Sequence, residues 1–234
     1  MELGSREWQA LISDGAEQLG ITLEAAVPEQ FATYAAELAV WNRKINLTAI
    51  KAPAEIAIKH FIDSIAALSI LPQTGMLLDI GTGGGFPGLP LKIASTELNV
   101  TLLDASRKKI NFVKHIIRVL QLHATDALQM RIEHFCRQEP FQKRFDIIVS
   151  RAFSSLSAFV QQARPLLASQ GIMVAFKGRR VDQELEELKA ATVNHQGGAL
   201  TQDACLPELD LQVVRYTLPF LETERALIIL KNRC

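Results

Sequence analysis

The segment Leu77-Leu78-Asp79-Ile80-Gly81-Thr82-Gly83-Gly84-Gly85-Phe86-Pro87-Gly88 constrains the fold of this chain more than any other. It reads as a buried strand that carries a carboxylate near its end, a glycine-rich turn, and the start of a helix. Glycines in such a turn permit positive φ and let the backbone come close to a ligand. A strand that feeds a helix through this turn opens a βαβ unit, so the chain is read as α/β with a doubly wound sheet.

The rest of the chain repeats that alternation. Short apolar runs predict strands near 76–80, 99–104, 128–131, 145–150, 172–176, 213–218 and 226–230, with helices between them. Continuous runs such as Ile147-Ile148-Val149 belong to parallel strands covered on both faces. The last two runs are joined by a segment too short for a crossover helix, so they should be antiparallel. The expected architecture is therefore α/β: a seven-stranded, mostly parallel, Rossmann-like sheet with an antiparallel terminal hairpin, as in class I methyltransferases. Ahead of it, apolar residues fall at helical spacing from 6 to about 71, as in Trp8, Leu11, Ile12 and Leu19, then Phe31, Tyr34, Leu38 and Trp41. Pro28 and Pro53 suit first helical turns, and Asn46-Leu47-Thr48 reads as the turn between the second and third helices. Pro72-Gln73-Thr74-Gly75 marks a boundary between a helical part, 1–72, and a ligand-binding domain, 73–234. Residues 194–211, with Gly197-Gly198 and Pro207, read as a loose connection.

Composition limits the functional classes. The 234 residues are 48% hydrophobic, enough for one sizeable core with a small appendage. Lys+Arg and Asp+Glu balance at 25 each, so any nucleic-acid contact must come from local patches. Cys136, Cys205 and Cys234 form no CxxC pair, which argues against a disulfide framework or a zinc site and fits a reduced, cytoplasmic setting. Glu2, Arg6, Glu7 and Asp14 interrupt the first nineteen residues, so a signal peptide or membrane span is not expected there, nor is a membrane partner.

Gly83-x-Gly85-x-x-Gly88 satisfies the spacing of a dinucleotide turn, a weak signal by itself. Asp79 moves the reading toward S-adenosyl-L-methionine: its carboxylate would hold the cofactor's amino group, directly or through water, and would repel a pyrophosphate. The alternative for Asp79 is a helix cap. Asp104, closing the second strand, can accept hydrogen bonds from both ribose hydroxyls, although oxidoreductases with nicotinamide cofactors place an acid there too. Such an oxidoreductase, or a non-catalytic cofactor-binding module, is a competing reading.

Methylation of an exocyclic amine commonly uses an N/D-P-P-Y/F motif after the fourth strand, where this chain has Ser150-Arg151-Ala152-Phe153. Methylation of pyrimidine C5 needs a cysteine nucleophile, commonly after proline, and no cysteine here follows proline. A ring nitrogen such as guanine N7 already offers a lone pair, so alignment with the methyl group suffices. Arg151 ends the fourth strand at the crevice, where it would pair with the cofactor carboxylate or donate to guanine O6; a surface ion pair is its bland alternative. Lys177-Gly178-Arg179-Arg180 and Arg107-Lys108-Lys109 suit phosphate contacts, or are solvated faces. His60 and Asp63, at i and i+3, read either as functional groups or as a simple local pair.

With these residues placed, the sequence resembles the glucose-inhibited division protein B family, bacterial methyltransferases that modify guanine N7 in small-subunit (16S) ribosomal RNA. The stretches that carry the resemblance run in order: Trp41-Asn42 with Asn46-Leu47-Thr48, His60-Phe61-Ile62-Asp63-Ser64, the Asp79 to Gly88 turn, Leu102-Leu103-Asp104 with Lys108-Lys109, Arg131-Ile132-Glu133, Ser150-Arg151-Ala152-Phe153, Lys177-Gly178, and Glu224-Arg225. The resemblance implies cofactor contacts from Gly81, Phe86, Ile132, Glu133 and Arg151, beside Asp79, Gly83, Gly85 and Asp104 from the motif reading. It marks Arg131, Lys177 and Arg225 as candidates for RNA binding or catalysis, with Arg180 in the same cationic cluster. Arg151 and Lys177 are the residues expected to act in catalysis. The expected partner is small-subunit ribosomal RNA or the small ribosomal subunit, met by a monomer.

Overall fold

The strand runs pair into one sheet. A computed structural model of the protein describes residues 1–153, 155–178, 181–193 and 209–232, the side chains of 188–193 excepted. Its strands are β1 (Gly75–Ile80), β2 (Leu98–Asp104), β3 (Thr125–Gln129), β4 (Phe145–Ser150), β5 (Leu167–Lys177), β6 (Leu209–Leu218) and β7 (Thr223–Asn232). They lie in the order β3-β2-β1-β4-β5-β7-β6. Pairings among β1 to β5 are parallel, and β7 runs antiparallel to both β5 and β6. The order turns around between β1 and β4, which places a ligand crevice beyond their C-terminal ends.

β3, β5, β6 and β7 depart from their expected spans: β5 starts at Leu167, β6 at Leu209, and β7 covers Thr223–Asn232, because ladder pairing continues beyond each apolar run. Residues 209–211 thus belong to β6 and not to the loose connection read at 194–211, and 194–208 lie outside the described residues. The expectation at 128–131 sits too far along: β3 ends at Gln129, and Arg131 already caps the short helix α7 (Ile132–Phe135). The apolar alternation Leu128, Met130, Ile132 continues past the strand because all three pack against the same core cluster. Period-two burial outlasts the ladder there.

Alternation along each strand sorts side chains to two covered faces. Leu77, Leu102 and Val149 face one core, Leu78, Ile148 and Met173 the other. The first face is covered by α5 (Gly88–Ala94), α6 (Arg107–Val119) and the N-terminal helices, with α8 (Leu156–Ala163) on the second. In the N-terminal part, α1 (Arg6–Gln18) starts on Ser5, whose Oγ accepts from Trp8 N at 3.2 Å. Pro28 and Pro53 occupy first turns of α2 (Val27–Asn42) and α3 (Pro53–Ile56). The third helical stretch passes through a π segment, Ala57–Ile62, into α4 (Asp63–Ile65). Trp8, Phe31 and Tyr34 all pack on Phe61, with ring centroids 4.8–5.6 Å apart, and this aromatic cluster is continuous with the core under β1 and β2. The helices are thus part of the wall behind the glycine turn. Among the described residues no helix is long and apolar enough to cross a membrane.

Candidate active site

The turn between β1 and α5 is held from both sides. Gly81 and Gly85 have φ of +72° and +95°. A Cβ on Gly81 would lie 2.5 Å from that of Ala152, and one on Gly85 would collide with Tyr34 Oη and Leu89, so neither position admits a side chain. The amides of Gly81 and Thr82 donate to Leu103 O at 2.8 and 3.0 Å, tying the turn to β2.

Asp79 is fully buried, and its Oδ2 accepts from Thr82 Oγ1 at 2.5 Å and Gly88 N at 2.9 Å. It braces the turn and the start of α5, the cap reading left open by the sequence; Oδ1 is buried without a partner. Burial pushes its pKa up to about 6 against the pull of those two hydrogen bonds. Phe86 is also behind the turn. Its ring is stacked between Tyr34 (5.2 Å) and His60 (4.6 Å), and Tyr34 Oη donates to Gly84 O. His60 Nε2 lies 2.8 Å from Thr48 Oγ1, and burial, helped by the charge of Arg151, pushes its pKa down to about 4. His60 makes no pair with Asp63, contrary to the local-pair reading, because each side chain finds a partner distant in sequence.

A cavity of about 470 Å³ opens at the C-terminal ends of β1, β2 and β4. Its wall brings together Gly81, Asp104, Arg131, Ile132 and Glu133, all singled out in the sequence, with Ala152 and Phe153 after β4. Asp79, Gly83, Gly85, Phe86 and Arg151 are not in that wall and support it from behind or beside. Asp104 Oδ2 accepts from Gly83 N at 3.0 Å and Oδ1 from Ser106 N at 2.7 Å; each oxygen keeps capacity for a second donor. Gln162, on α8, is a wall residue that the sequence did not reveal. Its Oε1 is buried without a hydrogen-bond partner, which in a cavity of ligand size marks a place for a donor.

Arg151 directly follows the C-terminal end of β4, but its fork is turned to the N-terminal helices. It donates to Ser64 Oγ at 3.0 Å and Lys59 O at 2.9 Å and pairs with Asp63 Oδ2. Asp63, only 3% exposed in its side chain, also accepts from Tyr216 Oη at 2.7 Å and lies 3.4 Å from Arg225 Nε. One buried carboxylate thus joins the third helical stretch, β4, β6 and β7. Burial, then the charge of Asp63, holds the Tyr216 phenol well above its ordinary pKa.

Lys177, read in sequence as a candidate for RNA binding or catalysis, already has protein partners. Its side chain is 8% exposed, its Nζ donates to Phe153 O at 3.0 Å, and Glu184 lies 2.5 Å away. A lysine at the end of a buried strand can anchor the neighbouring loop as readily as it can reach solvent. Arg131 is exposed at the cavity rim. Arg180 lies outside the described residues.

Comparison with known proteins adds to this geometry. The profile of the GidB family, described as rRNA small subunit methyltransferase G, matches residues 28–211. A ribosomal RNA small subunit methyltransferase G of Geotalea uraniireducens is 46% identical over 181 residues, covering 77% of this chain and 82% of that one. Its counterpart from Geobacter sp. strain M21 is 41% identical over 220 residues, covering 94% and 95%. Among solved structures, a SAM-dependent methyltransferase from Aquifex aeolicus superposes with a TM-score of 0.54 at 14% identity, over 80% of this chain and 97% of that one, a likeness of fold alone.

Proposed function

The chain belongs to the GidB family, rRNA small subunit methyltransferase G, and from that premise we propose that it moves a methyl group from S-adenosylmethionine to N7 of a guanine in 16S ribosomal RNA. The observation that carries the reading is the cavity at the strand-order reversal, where Asp104, the Gly81 turn and the unpartnered Gln162 Oε1 meet. This donor and acceptor set fits an adenosine: Asp104 accepts from the ribose hydroxyls, and Gln162 Oε1 accepts from the adenine amino group. Ile132 and Glu133 flank the base, with a backbone N–H after β3 as the partner of adenine N1. Gly81 lets the methionine part approach the backbone, and Asp79, Gly83, Gly85 and Phe86 keep the turn in shape. S-adenosylmethionine supplies an electrophilic methyl group on its sulfonium sulfur.

What this chain supplies is alignment. Ala152 and Phe153 form the wall where an acceptor base would approach, and Lys177 fixes that wall by holding the Phe153 carbonyl. Arg151 has donors beyond those it uses on Ser64, Lys59 and Asp63, so it can orient a guanine through O6 while remaining anchored. A bidentate grip on O6 and N7 is excluded, because it would cover the atom to be methylated. Arg131 at the rim and Arg225 beside Asp63 are read as RNA contacts, and Arg180 as a phosphate contact. The enzyme is further read as a cytoplasmic monomer whose parts 1–72 and 73–234 fold on a shared core.

Incubation with labelled S-adenosylmethionine and small subunits that lack the modification tests this reading. Label should enter the RNA, and calorimetry should show binding of S-adenosylmethionine but not of a nicotinamide dinucleotide. Tight cofactor binding without any transfer to RNA would instead favour a binding module.

A further inference from the structure

We propose that the exposed face of α6 is the docking surface for the sugar–phosphate backbone of the RNA substrate, an inference that rests on the rRNA reading above. The chain as a whole carries no net charge, yet residues 105–125 contain five Lys and Arg and no Asp or Glu, so the remainder is net negative. An RNA approaching such a molecule is steered to this segment. The segment folds as an amphipathic helix. Ile110, Phe112, Val113 and Ile116 are buried in the core, while Arg107, Lys108, Lys114 and Arg118 are exposed. Arg107, Lys114 and Arg118, with exposed Asn111 among them, follow one another at i, i+7 and i+11 and form a single stripe about 16 Å long.

These cations lack the acidic partners that the other candidates have. Among the described residues Lys177 is paired with Glu184, and Arg151 and Arg225 lie against Asp63, whereas none of the five Lys and Arg of α6 forms an ion pair with an acid. Glu37 lies 2.6 Å from His115 Nε2, and Arg118 touches the other ring nitrogen of that histidine, so the acid is met by the imidazole and not by the stripe. The apolar side of α6 is spent on the core, and Val119 at its C-terminal end is the one large apolar residue of the helix in the exposed class, too little to favour a lipid surface. Position adds direction: α6 follows Asp104, a wall residue of the cavity, so an RNA backbone lying along the stripe has its near end at the cavity rim.

The test is Lys114→Ala/Arg118→Ala, compared with Lys143→Ala/Lys231→Ala, which removes two exposed cations elsewhere. Methylation of small subunits and filter binding of protein-free small-subunit RNA are followed against salt. The α6 variant should raise the KM for subunits about tenfold and lower the slope of log K against log salt by about 1.5. Its kcat at saturating subunits and its S-adenosylmethionine affinity should stay at wild-type values, and the control variant should leave all four quantities unchanged. An unchanged salt slope, or equal losses in the control, would overturn the proposal, and so would a defect seen with subunits but absent with protein-free RNA. Failure of the wild-type enzyme to label RNA at all would be the distinct failure of the functional reading.

Discussion

Gln162 shows how a single side chain can matter without a visible motif. In sequence it is one polar residue on an amphipathic helix; in the fold its Oε1 is buried, unpartnered and part of the cavity wall. Gln162→Leu should therefore weaken S-adenosylmethionine and S-adenosylhomocysteine alike, by about tenfold, the worth of one lost hydrogen bond in a buried site. Calorimetry checks this, and undiminished affinity would remove Gln162 from the adenine. Two other residues set an acid response with opposite signs. His60, with its pKa pushed down to about 4, favours folding fully above its ordinary 6.5 and loses that contribution as pH falls toward 4. Asp79, pushed up to about 6 from an ordinary 3.8, takes up a proton in the folded state first, so it favours folding more as pH falls through 6. Each is worth on the order of 3 kcal/mol across its window. Urea midpoints measured from pH 7 to pH 4 should fall less for His60→Gln than for wild type, and more for Asp79→Asn. Superimposable curves for all three would refute the assignment.

Between elements, the joint that matters is the Asp63 carboxylate. Asp63→Asn keeps the shape but leaves Arg151 and Arg225 without their counter-charge, so it should cost about 3 kcal/mol in denaturant unfolding. Arg151→Lys cannot reproduce a fork that reaches Ser64 Oγ, Lys59 O and Asp63 together, and should lower both stability and the rate at saturating cofactor and RNA. Lys177→Met should reduce the rate by freeing the Phe153 loop while leaving the salt slope of RNA binding untouched, since its charge is already met by Glu184. A flattened slope in that variant would return Lys177 to the RNA surface. The strands were legible because a buried parallel strand must be apolar over its whole length, as Ile147-Ile148-Val149 is, and β4 has the expected span. The glycine turn and the acid of β2 were legible because backbone geometry and hydrogen bonding narrow the choice of residue. The Asp63 joint was not. Periodicity says which face a residue occupies, and nothing in it reports that Asp63 will meet Arg151, 88 positions away, or Tyr216, 153 away. The burial of Lys177 was hidden for the same reason, its partners lying on a loop and a helix whose packing the strand pattern does not encode.

At the scale of the molecule, a sheet reverses its strand order beside a cavity of about 470 Å³, and the helices behind it fix the glycine turn. In the proposed reaction alignment suffices, because the acceptor is a ring nitrogen with an available lone pair. The most direct measurement is the position of the methyl group. Small subunits lacking the modification are incubated with the enzyme and S-adenosylmethionine, and the 16S RNA is extracted and cleaved chemically at N7-methylguanine. Enzyme- and cofactor-dependent strand scission at a single guanine is the expected result. Methyl label incorporated into the RNA without any such scission would place the methyl on another atom and rule out N7 as the acceptor.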